Sequence, residues 1–187
     1  MVASVVAGGC LAAVGRVGAG DMTKPERVAR HLLIPDWWAH RVFPMAVLQH
    51  ITDAVSASEK LHRGELCFVV EGDLHLSALL RGITPRERAE ALFAQLGVWD
   101  TEENSGVLIY VQLIDRAIEI VADRGINAKV ARTKWEGITA GMQSEFRAGR
   151  YEQGALEGIA SITTLLTEHF PVTGENPDEL PDCAVWL

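Results

Sequence analysis

Cysteine is scarce in this chain and forms no pattern. Cys10, Cys67 and Cys183 are odd in number and lack CxxC spacing, which indicates neither a disulfide framework nor a zinc knuckle. A reducing compartment is therefore the expectation. A basic surplus is also missing: 17 Lys and Arg face 25 Asp and Glu, a net charge of −8. Phosphate backbones demand the opposite balance, so nucleic-acid binding is excluded. No long apolar run is present either. Residues 1–21 are rich in Ala, Gly and Val, but glycines interrupt any membrane helix. No basic region precedes the apolar stretch as a signal peptide requires. Ala7-Gly8-Gly9-Cys10 loosely matches a lipoprotein cleavage site, but the stretch before it is too short. The leader reads as a disordered tail or an over-extended frame with Met22 as the natural start. The expected location is cytoplasmic or peripherally membrane-associated, with no transmembrane segment.

Catalytic signatures are equally lacking. The chain holds no Asp-x-Asp pair, no G-x-S-x-G elbow and no P-loop. Cys10 and Arg16 satisfy C-x5-R, the spacing of cysteine phosphatases. They lie in the leader, outside the expected domain, and the match reads as chance. Cys67 falls mid-strand, where packing is the expected role.

What is present is a domain. With 187 residues and 48% hydrophobic content, the chain suffices for one core and is too short for two. Four segments are expected: the leader 1–21, an amphipathic arm 22–44, a domain 45–170 and an acidic tail 171–187. Residues 1–44 carry a net of +2, which leaves −10 for the remainder. An acidic body suits cations or a basic partner. In the arm, Leu32, Leu33, Ile34, Trp37 and Trp38 stand among Lys24, Arg27, Arg30 and Arg41. An interfacial membrane contact competes with an arm that packs its tryptophans on the body, and the small basic excess favours the latter.

Within the domain, Pro44 opens a helix whose inner face is Val47, Leu48, Ile51, Ala54, Val55, Ser58 and Leu61, with Gly64 as its stop. Leu66 to Val70 is a strand. Thr84-Pro85-Arg86-Glu87 is a capping box that starts a helix ended by Gly97. Gly106 to Leu113 is nearly all apolar, as in a central strand covered on both faces. Asp115-Arg116 turns the chain into an antiparallel strand, Ala117 to Ala122. Thr133-Lys134-Trp135-Glu136 reads as a second capping box, followed by helices striped with Trp135, Ile138, Met142 and Phe146 and with Leu156, Ile159, Ile162 and Leu166. The tail is expected to be loosely ordered, its end Val185-Trp186-Leu187 docking on the body. The result is an α/β fold: a small mixed β-sheet of three to four strands sandwiched between helices.

This topology brings Glu65, Gly106 and Asp123 to one edge of the sheet. Glu59 and His62 are expected to approach Glu65 from the preceding helix. The loop after Trp99 delivers Asp100, Glu102, Glu103 and Asn104, and Arg124 completes the group. Crowded carboxylates repel one another unless a cation or arginine sits among them. Oxygen ligands suit a hard cation, Ca²⁺ or Mg²⁺. The expected metal ligands are Glu59, Glu65, Asp100, Glu102, Asn104 and Asp123. Individually these residues also read as solvated loop charges, as a histidine at a helix C-terminus and as a surface ion pair.

Several motifs together are specific. Ser58-Glu59-x-x-His62-x-Gly64-Glu65, Trp99-Asp100-Thr101-Glu102-x-Asn104-x-Gly106, Asp115-Arg116, Asp123-Arg124-Gly125 and Phe146-Arg147-Ala148-Gly149 closely resemble the short bacterial branch of the TPM domain family. The likeness spans about residues 24–170. It implies a mixed α/β sandwich, divalent-cation binding and a phosphatase label. It also implies kinship with thylakoid-lumen proteins linked to photosystem repair and with membrane-associated bacterial proteins. Ser105 stands where the family pattern has a second Asn, which bears on how the loop is oriented.

The reading that follows is a module that binds a divalent cation at its acidic edge and serves protein or membrane-complex maintenance through an unidentified protein partner. The alternative is a weak metal-dependent phosphatase with His62 or Glu65 as base and Arg124 holding phosphate.

Overall fold

The computed structural model describes residues 14–17, 24–34, 36–172 and 183–187. The three longest strands are β2 (Leu66–Glu71), β3 (Val107–Gln112) and β4 (Ala117–Ala122). Every residue in them is buried, because helices cover both faces of the sheet. β2 and β3 run parallel with Leu66 opposite Val107, and β4 returns antiparallel with Ala122 opposite Val107. The expected pairing is therefore present. Two edge strands extend the sheet to five: β1 (Val14–Val17) beside β4, and β5 (Cys183–Trp186) parallel to β2. β1 lies in the segment expected to stand apart, and β5 in the tail expected to dock.

Helices α1 (Lys24–Leu33) and α2 (Asp36–Val42) form the arm, and α3 (Met45–Glu59) leads into β2. α4 (Leu76–Arg81) and α5 (Pro85–Gln95) make the crossover to β3; α6 (Arg124–Lys129), α7 (Arg132–Arg147) and α8 (Tyr151–His169) follow β4. The larger core lies between the sheet and α3, α7 and α8, with Ile51, Phe68, Ile109, Trp135 and Ile162 at its centre. A smaller one lies under α5, with Phe93, Leu108 and Tyr110.

The first capping box forms as expected, with Thr84 and Glu87 exchanging side-chain and backbone bonds. The second does not. α7 starts at Arg132, so Thr133 is already inside the helix, and the cap residue Ala131 offers no side chain. Leu61, expected inward, is exposed because α3 ends at Glu59.

Cys67 packs in the smaller core as expected, but it is also disulfide-bonded. The residue in Cα register with it is Cys183 on β5. The bond corrects the expectation of no disulfide and removes the basis for a reducing compartment. Spacing did not show it because the two positions meet only through strand pairing.

Buried polar groups lock the arm to the sheet. Arg27 donates through Nε and Nη2 to the Asp115 carboxylate, at 2.9 and 2.7 Å, and through Nη1 to the Ile83 carbonyl. Leu74 N donates to His31 Nδ1, which fixes the imidazole proton on Nε2, 3.1 Å from Asp115 Oδ1. Trp38 packs on the core while Trp37 stays exposed. No helix among the described residues is long and apolar enough to cross a membrane.

Candidate functional site

At the edge where β2 and β3 begin and β4 ends, backbone bonds fix three points. Val107 N donates to Glu65 O and Asp123 N donates to Gly106 O, both at 2.8 Å. The convergence of Glu65, Gly106 and Asp123 is therefore real at the level of the main chain.

The loop before β3 is held rigidly against α6. Thr101 Oγ1 accepts Ser105 N at 2.9 Å, and Asn104, in the left-handed region at φ 53°, accepts Ile126 N on its carbonyl. Gly125 makes this approach feasible: a Cβ there would stand 2.2 Å from Glu103 O and 2.6 Å from Asn104 O. Ser105 is buried, and its backbone N–H serves the loop.

The side chains assemble only in part. Asp123 caps α6, its Oδ1 accepting Arg124 N at 2.6 Å. Its Oδ2 is buried with no hydrogen-bond partner among the described residues. Arg124 Nε donates to Asn104 Oδ1 at 2.9 Å, and Arg63 pairs with Glu103 at 3.2 Å. Asp100 and Glu102 point to solvent, Glu59 is half-buried and Glu65 is buried. Among the described residues no three His, Cys, Asp or Glu side chains are placed to hold a metal ion together. Repulsion between carboxylates explains the difference: topology gathers the chain, while the side chains spread apart or take arginine partners.

His62 turns away from the edge into the core, where it is fully buried. Its Nε2 lies 2.7 Å from Ser58 Oγ, which lies 2.7 Å from Thr163 Oγ1. Thr163 in turn donates to the Ile159 carbonyl. A buried chain of polar contacts thus links His62 through Ser58 and Thr163 to that carbonyl. Burial pushes the His62 pKa down, against opposing hydrogen bonds with the backbone at Gly64 and His62. The i,i+4 spacing of Ser58 and His62 was the readable signal for this contact.

A family model for the TPM domain matches residues 40–165. The chain belongs to the TPM domain family. Its structure is similar to the NMR structure of BA42 from the psychrophilic bacterium Bizionia argentinensis, at 30% identity and a TM-score of 0.66, over 75% of this chain and 92% of that one. No curated protein matches. Family and fold thus agree with the resemblance read from the motifs.

Proposed function

We propose that this TPM domain is a non-catalytic module whose Asp123 edge takes one hard divalent cation, Ca²⁺ or Mg²⁺, and that it maintains a protein or membrane complex. The observation that supports this is the buried Asp123 oxygen with no hydrogen-bond partner, beside a loop locked in place by Gly125. An unpaired buried carboxylate is costly unless something answers it. Mg²⁺ in particular is held through one or two carboxylates and keeps several waters, so it needs no three-carboxylate cluster. Asp123 is the first ligand on this reading, joined by Asn104 once its Oδ1 gives up Arg124, with Glu59, Glu65, Asp100 and Glu102 as further candidates on neighbouring segments. The cation answers the Asp123 carboxylate and presents that edge to a partner. Leu33 and Trp37, exposed on the arm near Arg30 and Arg41, support a partner at a membrane surface.

The alternative, a weak metal-dependent phosphatase, asks His62 or Glu65 to act as base. Both are buried, which weighs against that role, although Arg124 is exposed and suited to phosphate.

Thermal unfolding of chelator-treated protein with added Ca²⁺, Mg²⁺, Mn²⁺ or Zn²⁺ tests the proposal. At about a hundred times its dissociation constant a cation bound only to the folded state adds roughly 2.7 kcal/mol. Ca²⁺ or Mg²⁺ is expected to stabilise the wild type and to lose that effect in Asp123→Asn. No shift with any cation overturns the reading. Cation-dependent hydrolysis of a phosphate ester, lost in the same variant, favours the phosphatase instead.

A further inference from the structure

A second site lies at the other end of the strands. β3 ends at Gln112 and β4 starts at Ala117, so the hairpin turn sits about 20 Å from the Asp123 edge at roughly 3.3 Å per strand residue. A cavity of about 450 Å³ opens there between the turn, the arm and the end of α7. Arg30, Arg116 and Arg147 line it, with Trp38, Phe146 and Tyr151 as aromatic walls.

Three observations set its charge. The acid at the cavity, Asp115, is already answered by Arg27 and His31. Among the described residues no carboxylate pairs with Arg30, Arg116 or Arg147. Arginine keeps its charge at any ordinary pH, so three cationic forks face one space in a chain whose net charge is −8. One side chain, Arg147, is anchored, and the backbone that carries Arg116 is fixed. Arg147 Nη2 donates to the buried Gln143 at 3.1 Å. Arg116 occupies a left-handed position at φ 53°, where glycine or asparagine is the easier residue. Asp115 N donates to Gln112 Oε1 at 2.7 Å and Gln112 Nε2 donates to Gly72 O at 3.1 Å, which pins the turn that carries Arg116. Strain kept at an arginine facing a cavity is a pointer to use.

The geometry points to a binding site for a small phosphate monoester with a flat ring. Guanidinium groups match phosphate oxygens in pairs. The aromatic walls take the ring face, with Phe146 and Tyr151 tilted against each other at 5.2 Å between centroids. The volume is that of an ordinary small-molecule pocket and far exceeds a bare phosphate ion. The site is independent of the Asp123 edge and needs no metal. Part of its lining comes from the Asp115-Arg116 and Phe146-Arg147 segments, which the cation-binding proposal leaves without a role.

Phenyl phosphate and inorganic phosphate, titrated into the full chain in the presence of chelator and followed by calorimetry, provide the test. Phenyl phosphate is expected to bind at least tenfold more tightly than inorganic phosphate. Binding is expected to weaken at least tenfold in the double variant Arg116→Gly, Arg147→Gln, and to persist in Asp123→Asn. Glycine adopts the position of Arg116 without strain, so the unfolding temperature of the double variant reports whether folding is intact. The inference is overturned by no binding to the wild type, by equal binding of the two phosphates, or by binding that survives in the folded double variant. Binding lost in Asp123→Asn alone assigns the ligand to the other edge and overturns it too.

Discussion

Asp115 carries more of the assembly than any other single residue in the turn. Burial alone pushes its carboxyl pKa up, but the bonds from His31 and Arg27 outweigh burial and hold it below the ordinary carboxyl value. Asp115→Asn leaves Arg27 and His31 without a charged partner, and breaking such a buried pair costs about 3–5 kcal/mol. Urea unfolding at neutral pH is expected to show that loss. The folded pKa lies below the unfolded one, so the contribution is complete above about the unfolded value and disappears as pH falls through the folded value. The gap between wild type and variant therefore closes in strong acid. His62 follows the same direction from a different cause. Its folded pKa is lowered from 6.5 by burial, so between the two values the unfolded chain binds more protons. Stability rises with pH across that window and reaches its full level above about 6.5. Urea midpoints measured from pH 5 to 8 are expected to fall on the acid side, with the slope reduced in His62→Asn at about those pH values.

Among the elements, β5 has the least local support. It is four residues long and pairs only with β2. Cys67 is disulfide-bonded, and the register makes Cys183 the expected partner. Peptide mapping without reductant is expected to recover the two cysteines linked, and reduction is expected to lower unfolding stability by about 2–4 kcal/mol. Recovery of Cys67 unlinked sinks this prediction. The elements also show what a linear reading can and cannot reach. β2, β3 and β4 were legible because a strand covered on both faces must be apolar throughout, and α5 because its capping box lies in consecutive residues. β1 and β5 were not, since each owes its strand character to a partner more than a hundred residues away. α6 was not either, since six residues capped by Asp123 are too few to show a helical period.

On the scale of the molecule, topology was readable and side-chain direction was not. The meeting of Glu65, Gly106 and Asp123 follows from strand order alone, and the main chain delivers it. The fate of each carboxylate depends on desolvation and on arginine partners from distant segments, such as Arg63 for Glu103, which no local pattern encodes. For the same reason the arginine-lined cavity escaped notice. Its cations are scattered over the arm, the hairpin and α7 and look like solvated surface charges one at a time. A protein of net charge −8 thus still brings three arginines to one cavity. Long-range attraction of phosphate-bearing ligands to the cavity competes with that background, so their affinity is expected to vary only weakly with salt above about 0.15 M, where the Debye length is about 8 Å.

The order in which the sheet acquires its strands has a further consequence during synthesis. β2, β3 and β4 leave the ribosome long before β5, and the flank of β2 that β5 covers is Cys67 to Val70. Until residue 183 is made, that flank is an open, wholly apolar strand edge of the kind that captures other chains. The nascent protein therefore passes through an interval in which β5 cannot yet shield the edge of β2.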